Sequence, residues 1–112
     1  MTQQRSPQRV VQFTPKPDRL QATIRKLASE KDSPAFSRHA WDRMDERGIT
    51  NLDAIRVLRT GVIKGDIEAG KNVGEWKCKM VAAKKGGRDI GVVTVVIREE
   101  RLFVKTVEWE DL

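Results

Sequence analysis

One stretch of this chain, Phe36-Ser-Arg-His-Ala-Trp-Asp-Arg-Met-Asp-Glu-Arg-Gly48, holds its single histidine together with three arginines. On a helix turning about 100° per residue, setting His39 at zero places Arg43 at about 40° and Arg47 at about 80°. Ala40 and Met44 follow at about 100° and 140° and Trp41 at about 200°, so the three polar residues form one stripe bordering the apolar face. With Trp41 and Met44 packed on a sheet, the stripe would lie along a helix–sheet crevice. A neutral imidazole flanked by two guanidiniums can take a proton from a ribose hydroxyl or return one to a leaving oxygen, while the guanidiniums stabilise charge on phosphate. That is the equipment of a metal-independent ribonuclease. The same residues also have a plain structural reading, in which Arg43 and Arg47 pair with Asp42, Asp45 or Glu46 and His39 only fills the first helical turn.

A second group is basic. Residues 76–88 contain Lys77, Lys79, Lys84, Lys85 and Arg88 and no acid, a set that on the exposed face of a hairpin could track a phosphate backbone. Solvated lysines that discourage edge pairing account for them equally well. One histidine and one cysteine cannot build a four-ligand zinc site, and no glycine-rich phosphate loop is present, so neither metal nor cofactor is expected. Gly86-Gly87 lies between two strand patterns, without the strand-to-helix setting of a phosphate cradle. No nucleophile suggests itself for a Ser-His-Asp triad built on His39. Cys78 alternates with Trp76 and Met80, the pattern of a buried structural thiol.

The elements that must position these residues fall into two halves. Pro7, Pro15 and Pro17 and the lack of acids mark residues 1–17 as a flexible arm, interrupted by a Val10–Phe13 patch; residues 18–112 read as a single domain. Leu20, Ile24, Leu27 and Ala28 predict an amphipathic helix from Asp18 to about Lys31, broken by Ser33-Pro34. Ser37 is a good cap for a second helix ending at Gly48. Thr50 and Asp53 form an approximate capping box for a third, closed by Gly61. The period then changes to two: strands are predicted over Trp76–Ala82, Ile90–Ile97 and Leu102–Trp109, with a weaker one over Val62–Ala69, interrupted by Gly65. The continuous β-branched run of Ile90–Ile97 suits a central strand covered on both faces. The expected class is α+β, with N-terminal helices packed on a three- to four-stranded antiparallel sheet.

The chain has 112 residues and a net charge of +6. The surplus is N-terminal: seven basic against three acidic groups in residues 1–36, seven against six in 37–73, eight against seven in 74–112. Overall charge favours an acidic partner such as nucleic acid, yet a polyanion surface in the globular part would have to come from local sorting. No apolar run approaches the roughly 20 residues of a membrane span. The absence of an apolar leader and the lone Cys78 suit a reducing cytoplasm.

His39-Ala40, Arg43-Met44 and Glu46-Arg47-Gly48-Ile49-Thr50, followed by a helix ending at Gly61 and a strand meander ending in Thr106-Val107, resemble the family of unknown function DUF4258 over about residues 36–109. That family has been grouped with RelE-like and barnase-like small ribonuclease toxins. The resemblance implies a RelE/barnase-like fold and RNA cleavage or RNA binding in a bacterial or phage toxin–antitoxin setting, with an antitoxin or other protein as partner. His39, Arg43 and Arg47 fall on the polar helix positions and Thr106 on the threonine near the end of the last strand. Where many such sequences continue with an aromatic, this chain has Glu108 and then Trp109, and it has no tyrosine. On this expectation His39 transfers the proton, Arg43 and Arg47 hold the phosphate, Thr106 or Glu108 adds a second polar group, and Lys77, Lys79, Lys84, Lys85 and Arg88 steer RNA. The rival expectation is a non-catalytic adaptor or immunity-like module that binds protein or nucleic acid.

Overall fold

The computed structural model describes residues 12–30, 34–84 and 86–111. Lys85, the arm as far as Val11 with Val10 and Val11 of the apolar patch, and Lys31 and Ser33, where the predicted first helix ends and breaks, lie outside them. The first helix, α1 (Pro17–Ser29), starts on a proline, whose missing N–H costs nothing in a first turn. It buries Leu20, Ile24, Leu27 and Ala28, the positions the 3.6-residue period selects. Ser37 caps α2 (Arg38–Arg47) by accepting the Ala40 N–H at 2.9 Å, and Gly48 ends it at φ 66°. The left-handed conformation there is one that glycine adopts without steric cost. Thr50 and Asp53 form the reciprocal capping box of α3 (Asn51–Thr60). Burial of Asp53 opposes ionisation, but its hydrogen bonds with Thr50 and the nearby Lys84 outweigh that and hold its carboxyl below the ordinary value.

The sheet has five strands, not three or four. In spatial order it runs β1 (Ala35–Phe36), β5 (Arg101–Trp109), β4 (Asp89–Ile97), β3 (Glu75–Ala83), β2 (Val62–Ala69). Strands β2 to β5 form an antiparallel meander, while β1 is parallel to β5, pairing Ala35 with Phe103 and Phe36 with Val104. Two residues are too few to show a period, which is why β1 has no sequence signature.

All three helices lie on one side of the sheet. Their buried residues meet Cys78 and Met80 of β3, Ile90, Val92 and Val96 of β4, and Leu102, Val104 and Val107 of β5. Thr94 is also fully buried, its hydroxyl donating to the Phe103 carbonyl at 3.1 Å. Trp41 does not join this core; it is 48% exposed and packs against Phe36, with ring centres 5.1 Å apart. Four arginines fasten the layers by donating to backbone carbonyls: Arg25 to Gly61, Arg47 to Val107, Arg56 to Ala83 and Arg59 to Ala28. Part of the basic composition is thus spent on joining helices to one another and to strands, not on a surface for a partner.

Among the described residues no helix lies on the other side of the sheet. β4 is central, as its apolar run predicts, but helices cover it on one face only; on the second, Gly91 and Val95 are buried by neighbouring side chains and Val93 and Ile97 are half-buried. Three rows of residues in register cross this open face: Glu68, Lys77, Val95 and Phe103; then Lys64, Lys79, Val93 and Thr106; then Val81, Gly91 and Glu108.

Candidate functional site

A register shift in β5 decides which predicted site residues can meet. Val93 pairs with Thr106 and Thr94 with Val104, so Lys105 is an extra residue on the β5 side. Side chains alternate along a strand, and one inserted residue reverses the sequence of faces beyond it. Leu102 and Val104 point to the helices, and so do Val107 and Trp109; Thr106 and Glu108 point to the open face. Ser37 pins the bulge, its hydroxyl donating to the Lys105 carbonyl at 2.9 Å while its N–H donates to Val104.

The structure therefore divides the predicted catalytic residues into two groups. His39, Arg43 and Arg47 sit on α2, in the helix layer beside the edge of β5. His39 is exposed, and Arg43 is paired with Glu46 at 2.5 Å within the helix. Arg47 reaches the strand, but its Nη1 donates to the Val107 carbonyl at 2.8 Å, and the Trp109 indole N–H donates in turn to the Arg47 carbonyl at 2.9 Å. Those bonds dock the end of α2 on β5. Thr106 and Glu108 belong with Lys77 and Lys79 on the open face. The remaining described basic residues of the hairpin are elsewhere again: Lys84 and Arg88 lie 5.3 and 4.1 Å from the centre of the Trp109 ring. Lys84 is also paired with Asp53 and Arg88 with Asp111.

On the open face, charge gathers over Gly91. Lys79 crosses β4 to bring its Nζ within 3.5 Å of Glu108 Oε2 and 2.9 Å of Glu110 Oε2. Lys64 Nζ lies 3.3 Å from Glu110 Oε1. A Cβ on residue 91 would run into the Glu110 carboxylate and come within 3.0 Å of the Lys79 stem, so the missing side chain makes the space that the cluster fills. The Glu110 side chain is 8% exposed, against 28% for Lys79 and 38% for Glu108. Its Oε2 accepts no aligned hydrogen bond, although it is at ion-pair distance from Lys79. Burial by itself would raise the Glu110 pKa; Lys79 and Lys64 outweigh it and hold the carboxyl below its ordinary value. Lys79 is pushed the other way, chiefly by its close contact with the Glu110 carboxylate and against the effect of burial, so its ammonium is charged at neutral pH. The result is a fixed cation and an accessible carboxylate, with the Thr106 hydroxyl in the adjacent cross-strand row.

Gly91, Lys64 and Glu110 are the members sequence reasoning missed. Only Gly91 gave a signal, as an isolated glycine inside a β-branched strand, which marks a close approach by some other group. Cys78 faces the core beneath Lys77 and Lys79; burial pushes its thiol up to about 11, as befits a structural residue. Among the described residues no three His, Cys, Asp or Glu side chains are gathered in a way that could hold a metal ion, and no helix is long and apolar enough to cross a membrane. No curated protein and no solved structure gives a significant match to the chain. The family comparison does match, over the helix-to-strand segment that carries α2, α3 and the whole meander: residues 36–109 fit the domain of unknown function DUF4258, and the chain belongs to that family.

Proposed function

We propose that this protein is a small endoribonuclease of toxin type, that it seats a single RNA strand on the open face of its sheet, and that Glu108 and Lys79, not His39, do the chemistry. The observation that carries this reading is the Lys79–Glu108 contact of 3.5 Å on the face that none of the described helices covers, beside Thr106. RNA brings its own nucleophile, so a base and a held cation suffice and a bound metal is not required. The Glu108 carboxylate takes the proton of the 2′-hydroxyl, the 2′-oxygen attacks phosphorus, and the bond from phosphorus to the 5′-oxygen breaks. That oxygen takes a proton from water, leaving a 2′,3′-cyclic phosphate and a 5′-hydroxyl. Lys79, kept charged by Glu110, faces the charge that builds on the phosphoryl oxygens. The RelE/barnase-like grouping fits this use of the sheet, and an antitoxin-like partner would inhibit by covering the same face.

A second reading, RNA binding without cleavage, draws on the pairing of Arg43 with Glu46 and the bond from Arg47 to Val107, which give both guanidiniums structural partners. One incubation separates the readings: purified protein with single-stranded RNA in excess chelator. Cleavage to cyclic-phosphate ends is expected, with Glu108→Gln lowering the rate at least a hundredfold, the lower part of the range for a lost acid–base group. His39→Ala should stay within a few-fold of the parent. Intact RNA in a salt-sensitive complex would establish the binding reading instead, and loss of cleavage in a folded His39→Ala would return the active site to α2.

A further inference from the structure

Beyond the charged cluster, the open face holds a cleft of about 550 Å³ at the end formed by the β2–β3 turn. That volume is within the range of small-molecule sites. Its floor is apolar, made by Val95, Ile97 and the ring of Phe103, and three lysines stand on its walls, Lys71, Lys77 and Lys105. The one carboxylate in the lining, Glu75, is already occupied: it accepts from the backbone N–H and the side-chain amide of Asn72, at 3.3 and 3.0 Å. Those bonds hold its pKa below the ordinary value. Lys77 shares its charge with Glu68 at 3.4 Å. Lys105 Nζ stands over the Phe103 ring at 5.9 Å from its centre, at the outer reach of a cation–π contact, so a base stacking there moves the flexible ammonium aside to the rim. A flat apolar floor with an aromatic ring, rimmed by ammonium groups, matches a flat ring joined to a phosphate.

We infer that this cleft is a nucleotide subsite, in which one unpaired base of an RNA strand stacks on Phe103 while Lys71 and Lys105 hold the flanking phosphates. The inference rests on the proposed action on RNA and adds where the strand is gripped and in what state. Phe103 lies one cross-strand row from Thr106 on the same face, about 7 Å along β5. The Lys79–Glu108 contact lies one row further again, over Gly91 and about 14 Å from Phe103, so a base on Phe103 places the second phosphate along the extended strand at Lys79 and Glu108. A duplex cannot enter, because its bases are stacked on one another.

The test is fluorescence anisotropy with a labelled single-stranded RNA of about eight nucleotides, and the same strand in a blunt duplex, over a series of salt concentrations. Phe103→Leu keeps the cleft floor apolar and removes only the stacking surface. It is expected to weaken single-strand binding about tenfold without changing the salt dependence. Lys71→Ala with Lys105→Ala should reduce the salt slope by about 1.4, the value for two phosphate contacts on a single strand. The duplex should bind at least tenfold more weakly. Tight RNA binding that is indifferent to Phe103→Leu, or equal for strand and duplex, would overturn the subsite and leave the action on RNA standing. No binding of the wild-type protein to either RNA would overturn both.

Discussion

Lys79→Met is expected to weaken binding of single-stranded RNA at least tenfold and to lower stability at neutral pH by about 2 kcal/mol, the cost of leaving a buried charged partner unsatisfied. The side chain serves two roles. Its ammonium is the cation offered to phosphate, and it is also the closest counter-charge of Glu110, which is almost wholly covered. Methionine fills the path of the aliphatic stem across Gly91 and removes only the charge. The sign of the pH dependence follows from Glu110. Its folded pKa is lowered, so its contribution to stability is present above the ordinary carboxylate range and is lost as pH falls through the folded value. Without Lys79 the effect of burial is opposed by Lys64 alone, so the penalty of Lys79→Met should shrink on acidification. Urea titrations at about pH 7 and about pH 4 measure this. Adding Glu110→Gln to Lys79→Met should restore most of the stability and none of the RNA affinity. Equal instability at both pH values would mean that packing, not charge, is what Lys79 supplies.

Gly61→Ala should have the largest effect on stability, about 3 kcal/mol, equivalent to roughly a hundredfold in the folding equilibrium. The backbone there is unremarkable at φ −79°, so conformational freedom is not the reason for glycine. Space is. A methyl group would stand 2.6 Å from the Val57 carbonyl oxygen and 2.7 Å from that of Val81, both main-chain atoms. The Gly61 N–H is bonded to the first of these at 2.7 Å, and its carbonyl accepts from Arg25 Nε and Nη2 at 3.0 and 2.7 Å. The residue joins α1, α3 and the start of the meander, and relieving the clash would loosen all of them. Chemical denaturation of Gly61→Ala against wild type checks the magnitude. A loss below about 1 kcal/mol would show that the α3–β3 contact yields easily.

The helix α1 was legible from its apolar period, and α2 and α3 because their ends are written in side chains. Ser37, Thr50 with Asp53, and Gly48 each do locally what the capping rules require. The strand β3 was legible for the same kind of reason, since Lys77 and Lys79 alternate with Cys78 and Met80 across two different environments. Two features were not. The short strand β1 takes its extended form and its register from β5, so it exists only in the presence of a distant partner. The bulge at Lys105 has no local marker either, and its effect on the site is large. Alternation continued from Leu102 and Val104 would aim Thr106 and Glu108 at the helices, toward the crevice beside His39. The inserted residue turns both to the opposite face, next to Lys79. The apolar face of β4 misled in a related way. Its second side is sheltered by neighbouring side chains and by Glu110 folded over Gly91, which a sequence of β-branched residues does not distinguish from cover by helices.

The open face of the sheet as the working surface is the claim on which the rest depends. Nuclear magnetic resonance titration of isotope-labelled protein with a short single-stranded RNA tests it residue by residue. The account predicts that the shifted signals cluster on Lys77, Lys79, Val93, Val95, Phe103, Lys105, Thr106 and Glu108, with His39, Arg43 and the outer surfaces of α2 and α3 unmoved. Shifts concentrated on α2 around His39 and Arg43, with the open face silent, would contradict it.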